Sequence, residues 1–327
     1  MIITKTPYRI SFFGGGSDYP NWFNKFNGQV LSTTINKHIY ITCRFLPKFF
    51  KHKYRIVWSK IENVKNLNEI QHDSVKGLLK FYKINQGVEI HYDGDLPARS
   101  GMGSSSCFSV GLIKAINALN GKNISSVELA KKAIFFEQKI MGETVGSQDQ
   151  VSASVGGFNK IIFKKNKISI KKIQKFKNIK KLEQNLLLIY TGINRTAHKI
   201  AGTYASKLSS VKKEYIMKIC EHVNEGEKLL NTGKVDDFGK LLNNAWYLKK
   251  KLSSSISNSK IDDLYNLAIK YGAFGGKLLG AGGGGFLLLY MPSKFRKKFF
   301  LNNKKLINIP FNFTNEGAQV IFKDLKR

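Results

Sequence analysis

Glycine gathers at three places in the chain, at two of them with serine, and an aspartate stands at a fourth, in patterns able to handle phosphate and hydroxyl groups. One is Gly101-Met102-Gly103-Ser104-Ser105-Ser106. Glycines lacking a Cβ let backbone N–H groups crowd around an anion, a following helix offers its positive end, and serine hydroxyls can donate to phosphate or bind Mg2+. Another is Gly14-Gly15-Gly16-Ser17-Asp18, where a carboxylate just past a triple-glycine turn could accept two hydroxyls of a polyol, with Arg9 on the run before it. In Gly146-Ser147-Gln148-Asp149-Gln150, Asp149 is expected on a loop beyond the helix carrying Glu137. There it could take the proton of a substrate hydroxyl, or hold that hydroxyl in line, during phosphoryl transfer. The last glycine run is Gly280-Ala281-Gly282-Gly283-Gly284-Gly285. Taken singly, each also reads as an ordinary turn or helix cap.

Other phosphate chemistries are excluded by context. Every Gly-Lys pair is followed by Asn, Val or Leu rather than Ser or Thr, so no Walker A loop is present. Gly280, Gly282 and Gly285 satisfy GxGxxG, but the run precedes a strand instead of opening a helix, and the dinucleotide reading fails. Asp237-Phe238-Gly239 lacks the His-Arg-Asp loop that would make it a protein-kinase magnesium motif.

The elements that position these residues begin with strand-like runs at Arg9–Phe13, Gln29–Ile35, His38–Phe45 and Arg55–Trp58, rich in β-branched and aromatic residues. Val88–Tyr92 is a further strand, and Ser104–Leu119 after it reads as a helix that the glycine-serine run opens. Ser125 with Glu128 forms a capping box before Leu129–Met141. A strand pair, Lys160–Phe163 and Lys167–Ile170, leads to a Lys-rich stretch where a lobe boundary is expected, giving lobes 1–175 and 176–327. The second half reads as the strand Leu186–Tyr190, helices over about 195–208, 211–231, 236–252 and 258–271, and the buried strand Phe286–Met291 with Ala318–Phe322 as partner.

The 327 residues carry 54 Lys and Arg against 22 Asp and Glu, a formal charge of +32, with 42% hydrophobic residues to pack an interior. Such charge concentrates anions, so nucleic acid, anionic membranes and phosphorylated small molecules all qualify as partners. Much of it lies in Lys-, Asn- and Ile-rich runs that read as solvated surface. Phe49, Phe50 and Tyr54 interleave with Lys and His, as on RNA-binding surfaces, but strand packing explains them. Three cysteines with no ligand spacing, no apolar leader and no run of ~18 apolar residues predict a cytoplasmic protein with buried thiols and no membrane contact.

Taken in order, these stations resemble the GHMP small-molecule kinases, named for galactokinase, homoserine kinase, mevalonate kinase and phosphomevalonate kinase, over nearly the whole chain. The family's Pro-x-x-x-Gly-Leu-Gly-Ser-Ser appears as Pro97-Ala-Arg99-Ser100-Gly101-Met102-Gly103-Ser104-Ser105, and its glycine-rich C-terminal motif as Lys277-Leu-Leu-Gly280-Ala-Gly282-Gly283-Gly284-Gly285. The opening Thr4–Pro20, together with Gln148-Asp149-Gln150 and Tyr190-Thr-Gly-Ile-Asn-Arg195-Thr-Ala197, is most similar to the branch of heptose 7-phosphate kinases and fucokinases.

The resemblance implies an α+β fold of two lobes, an ATP-binding N-terminal lobe that is ribosomal protein S5-like and a helix-rich C-terminal lobe. It implies Asp149 as catalytic aspartate and Arg9 as the cation beside the transferred phosphate. Pro97 and residues 99–106, that is Arg99, Ser100, Gly101, Met102, Gly103, Ser104, Ser105 and Ser106, would form the ATP loop, with Ser104 and Glu137 as Mg2+ ligands. Asp18, with Gly15, Gly16, Ser17, Arg195, Gly282, Gly283 and Gly284, would meet the acceptor. The expected reaction is transfer from ATP to the anomeric hydroxyl of D-glycero-D-manno-heptose 7-phosphate, a phosphorylated heptose, for nucleotide-activated heptose. Arg99, Arg195 and Lys277 are candidates for its 7-phosphate. Another sugar kinase of the family, L-fucokinase, galactokinase or a mevalonate-type enzyme, is the nearest alternative, and a basic nucleic-acid-binding protein the more distant one, against which intact Asp149, Ser104 and Glu137 argue. No nucleic-acid partner is expected, and a homodimer is the assembly left open.

Overall fold

Strand β1 (Ile2–Phe13) alternates buried and half-buried residues as far as Lys5, and from Thr6 onward both its faces are covered. The computed structural model, which describes residues 1–193 and 197–324, continues with the one-turn helix α1 (Pro20–Phe23) and the 18-residue strand β2 (Gly28–Phe45). The two runs expected at Gln29–Ile35 and His38–Phe45 are this single strand. Asn36, which reads as a turn residue, instead exchanges hydrogen bonds with Asn312 and leaves the strand unbroken.

Strands β3 (Tyr54–Val57) and β4 (Ile61–Val64) lead to helix α2 (Asp73–Phe81), which the sequence reading lacked, and strand β5 (Val88–Gly94). Helix α3 (Ser104–Leu119) has the expected bounds. Helix α4 (Ser126–Phe135) is capped by Ser125, whose hydroxyl accepts from the Glu128 N–H, and passes into a π-helical turn over Phe136–Ile140. Helix α5 (Gln148–Val155) then takes Asp149 into its first turn, not into a loop as the sequence reading had it; its Ser and Gln content hides the helical period. Strands β6 (Asn159–Lys164) and β7 (Lys167–Lys172) precede helix α6 (Phe176–Gln184), which occupies the Lys-rich stretch.

The remainder is strand β8 (Leu186–Tyr190), helices α7 (Ala197–Gly202), α8 (Lys213–Asn231), α9 (Val235–Lys250) and α10 (Ser259–Lys270), strands β9 (Gly275–Leu278) and β10 (Phe286–Tyr290), helix α11 (Ser293–Asn302), and strands β11 (Ile307–Asn308), β12 (Phe313–Thr314) and β13 (Gln319–Lys323).

The first sheet runs β13-β1-β2-β5-β3-β4, with β6 and β12 also on β2 and β7 on β6. Its pairings are antiparallel except β3 with β5. The second, β11-β8-β10-β9, is antiparallel throughout. Ala318–Phe322 therefore does not partner Phe286–Met291, because β8 and β9 already occupy both edges of β10; this run lies at β13 and pairs with β1 instead. Strands β12 and β13 return from the C-terminal half of the chain to the first sheet.

Helix α3 packs over β1 and β2, close enough that a Cβ on Gly111 would lie 3.2 Å from Ile41 Cδ1. Gly226 lets α8 lie against Phe13 and Leu31, where a Cβ would come within 2.6 Å and 3.3 Å of the two side chains. One buried cluster runs through both halves of the chain, joining Ile10, Phe12 and Val110 to Phe238, Leu242 and Tyr290. A second, around Trp246, Leu289 and Phe299, fills the C-terminal half. Burial of apolar area on this scale is what offsets chain entropy. Tyr54 packs as expected, whereas Phe49 is 82% exposed and stacks only on Phe50, outside any strand. Among the described residues no helix is long and apolar enough to cross a membrane.

Candidate active site

Arg9 sits on β1 between two irregularities in the β1–β2 register, at Pro7/Arg9 and Ser11/Phe13. Such irregularities bend a strand and re-aim its side chains. Arg9 turns its guanidinium onto Asp149, with Nε donating to Oδ1 at 2.8 Å and Nη2 to Oδ2 at 2.7 Å, while Nη1 donates to the Gly101 carbonyl at 2.9 Å. The paired donation is the fork geometry that fixes a carboxylate in plane as well as in place. Arg9 is almost fully buried, whereas Asp149 keeps 22% of its side chain open to a cavity of about 780 Å3.

The head of α3 forms one wall of that cavity. Arg99, Gly101 and Gly103 all have left-handed φ angles, and Gly103 is the N-cap. A Cβ on Gly103 would meet Asp149 Oδ2 at 3.0 Å and Arg9 Cζ at 3.4 Å, so only glycine brings this loop flat against the pair. Gly101, Gly103, Ser104, Ser105 and Ser106 line the cavity, as does Arg99. The remaining predicted loop members face elsewhere: Pro97 is exposed, Ser100 is buried with Gly285 against its backbone, and Met102 is fully buried in the core. Alternate residues of a tight turn point to opposite sides, which sends Met102 inward.

Glu137 lies on the π-helical turn, a local distortion often found at functional sites. Its Oε2 accepts from Ser106 Oγ at 2.9 Å and from Gln150 Nε2 at 2.5 Å, while Oε1 is enclosed without a partner. Burial, and then the neighbouring Glu143, push its carboxyl up to about 8. The hydroxyl nearest Glu137 is thus Ser106 and not Ser104, whose Oγ accepts from the Arg99 N–H. Among the described residues there is no cluster of three or more His, Cys, Asp or Glu able to hold a metal. One orphaned carboxylate oxygen beside serine hydroxyls does suit Mg2+, which typically takes one or two carboxylates and completes its shell with phosphate oxygens and water.

The glycine turn at residues 14–18 holds Asp18 at 1% exposure, with Oδ1 accepting from the Gly16 N–H at 3.0 Å and Oδ2 from the Gln148 N–H at 3.1 Å. Burial, and then Asp149, raise its carboxyl above the ordinary range. Gly15, Gly16 and Asp18 line the cavity. Ser17 does not, because its hydroxyl is committed to the Gly14 and Gln29 carbonyls inside the turn. Of the C-terminal run, Gly280 and Ala281 reach the cavity, whereas Gly282 is packed on Ile256 and Gly284 on Ile193. Arg195 lies outside the described residues.

Several lining residues escape the sequence reading. Trp58, His72 and Phe108 form an aromatic end, with His72 stacked on Phe108 at 4.8 Å and edge-on to Trp58 at 5.0 Å. At the opposite side Tyr19 hydrogen-bonds Tyr204, and Lys249 Nζ donates to the Leu278 and Gly280 carbonyls at 2.7 and 2.6 Å. Only the fold brings these positions together. Lys277, adjoining the C-terminal glycine motif, is 6% exposed and donates to the Phe12 carbonyl at 2.7 Å.

Residues 69–157 match the model of the GHMP kinases N terminal domain and residues 227–302 that of the GHMP kinases C terminal. The chain is 30% identical to a D-glycero-alpha-D-manno-heptose 7-phosphate kinase of Campylobacter jejuni, covering 97% of this chain and 98% of that protein. It is 27% identical to a galactokinase of Pyrococcus furiosus, with 87% of each covered. A crystal structure described as a D-glycero-D-manno-heptose 1-phosphate kinase from Bacteriodes thetaiotaomicron superposes with a TM-score of 0.80 at 23% identity, over 99% of this chain and 100% of that one.

Proposed function

The chain belongs to the GHMP kinases, ATP-dependent phosphotransferases, and from that premise we propose that it phosphorylates a heptose phosphate, D-glycero-D-manno-heptose 7-phosphate, at its anomeric hydroxyl to give the 1,7-bisphosphate. The observation that carries the reading is the Arg9–Asp149 pair lying against Gly103 at the head of α3. A hydroxyl next to Asp149 and a phosphate over the first turn of α3 are then neighbours across Arg9.

In this reading residues 1–175 form the ATP-binding lobe, which also brings Asp18, Gly15 and Gly16 to the acceptor, and 176–327 form the C-terminal lobe, which adds Tyr204, Lys249, Gly280 and Ala281 to the cavity wall. The backbone at Gly101 and Gly103, with the serines at the start of α3, cradles the triphosphate, and the aromatic end at Trp58, His72 and Phe108 takes the base. Asp149 accepts the proton of the attacking hydroxyl, and Arg9 keeps its carboxylate oriented while facing the charge that develops on the transferred group. Asp18, fixed by two N–H groups, binds sugar hydroxyls, with Gly15 and Gly16 at its side. Glu137, with the hydroxyls of Ser104 and Ser106 within the same helical turn, would hold Mg2+, which when bound neutralises phosphate charge and aligns the nucleotide.

The test is ADP release from Mg·ATP with the heptose 7-phosphate, the heptose 1-phosphate, fucose, galactose and mevalonate. Turnover is expected on the 7-phosphate, falling ~10^2–10^4-fold in Asp149→Asn. Turnover on the 1-phosphate or an unphosphorylated sugar in its place overturns the acceptor assigned here.

A further inference from the structure

Arg9 and Lys277 both line the cavity, but they are compensated very differently. Arg9 has the Asp149 carboxylate on two of its nitrogens. Lys277, on β9 opposite Leu288, reaches across from the second sheet to the Phe12 carbonyl of β1, a bond between residues 265 positions apart. Among the described residues no carboxylate forms an ion pair with it, and its neighbours in charge are Arg9 on β1 and His222 on α8. A buried ammonium facing a guanidinium without a counter-ion is unfavourable unless an anion joins it. The cavity beside it is where a kinase admits phosphate.

We propose that Lys277 is a second cation of the reaction site, delivered by the C-terminal sheet, which together with Arg9 grips a phosphate group. The proposal rests on the kinase reading and deepens it. The phosphate is either the one being transferred or the one an acceptor already carries, and the geometry assigns the charge that meets it. Burial and then Arg9 draw the proton affinity of the free amine down to about 7, and an arriving phosphate draws it up again.

The experiment compares Lys277→Met, Lys277→Gln and Lys277→Arg with wild type, using ATP with a phosphorylated acceptor and with its unphosphorylated parent. Gln keeps an N–H for the Phe12 carbonyl but has no charge. A kcat loss of ~10^2–10^3-fold in Met and Gln, with both acceptors and partly restored in Arg, assigns the transferred phosphate. A KM rise confined to the phosphorylated acceptor assigns the acceptor's own phosphate. A Gln variant within twofold of wild type shows a purely structural tie and overturns the proposal. A second readout needs no turnover. Calorimetry of ATP and of acceptor phosphate binding at pH 8, in two buffers of different ionisation enthalpy, should report proton uptake by wild type that Lys277→Met lacks. No uptake by wild type with either ligand overturns the proposal. Should wild type prefer a different acceptor, the heptose assignment falls while the nucleotide titration and the variant series, run on that acceptor, still decide the role of Lys277.

Discussion

Replacing Gly146 by alanine probes the proposed acceptor role of Asp18 without altering Asp149 or Arg9. A Cβ there would lie 2.6 Å from Asp18 Cγ and 3.0 Å from Oδ1, and closer still to Oδ2. Gly146 is absent from the positions with positive φ, so the backbone accepts alanine and the whole cost falls on the Asp18 carboxylate. That carboxylate cannot simply swing aside, since the N–H groups of Gly16 and Gln148 hold its two oxygens at 3.0 and 3.1 Å. Losing one such charge-assisted bond costs about 1.5–3 kcal/mol. If that loss is felt in acceptor binding, kcat/KM for the sugar falls roughly 10–150-fold, while KM for ATP stays within about twofold. Steady-state kinetics with each substrate varied measures both constants. Gly202→Ala, which meets nothing within 4 Å, is the matched control and should be neutral. Unchanged acceptor kinetics in a folded Gly146→Ala protein would refute the reasoning, by detaching either Asp18 from this contact or the acceptor from Asp18.

Glu137→Gln removes the orphaned carboxylate; the Mg2+ concentration for half-maximal velocity should rise ~10–100-fold with the melting temperature held or raised, as activity titrations and calorimetry would read. His38, buried beside Lys5 and opposed only weakly by Asp95, has its imidazole drawn from 6.5 down to about 4 by burial and then Lys5. The unfolded chain therefore binds the extra proton first, and stability is lost as pH falls from about 6.5 to 4, by on the order of 2 kcal/mol after solvent screening. Urea unfolding at pH 7 and pH 5 should show that slope in wild type and a flatter one in His38→Gln.

The head of α3 is legible in the sequence because its features are local: glycines at positive φ, serines in a first turn, a strand just before. The Arg9–Asp149 pair is legible only as two separate residues, 140 positions apart, and the family resemblance is what suggests that they cooperate. Tyr204, Lys249 and the aromatic end carry no motif; Lys249 is placed by the packing of α9 on β9, and His72 meets Phe108 where α2 comes near α3, which periodicity cannot register. Ser17 and Met102 misled for the opposite reason. They stand inside motifs whose glycines face the cavity, while their own side chains support the turn from behind.

Strand β13 closes on β1 over Ile2–Lys5, four residues before Arg9. The strand that carries the site's guanidinium therefore waits, during synthesis, for a partner some three hundred residues downstream, and its outer edge stays open until that partner has left the ribosome. Contacts of such separation form late and slowly. Arrival of β13 is thus a late assembly step for the strand that holds Arg9: chains in which β13 has yet to dock would present an unpaired sheet edge, a natural docking point for chaperones and a template for aggregation.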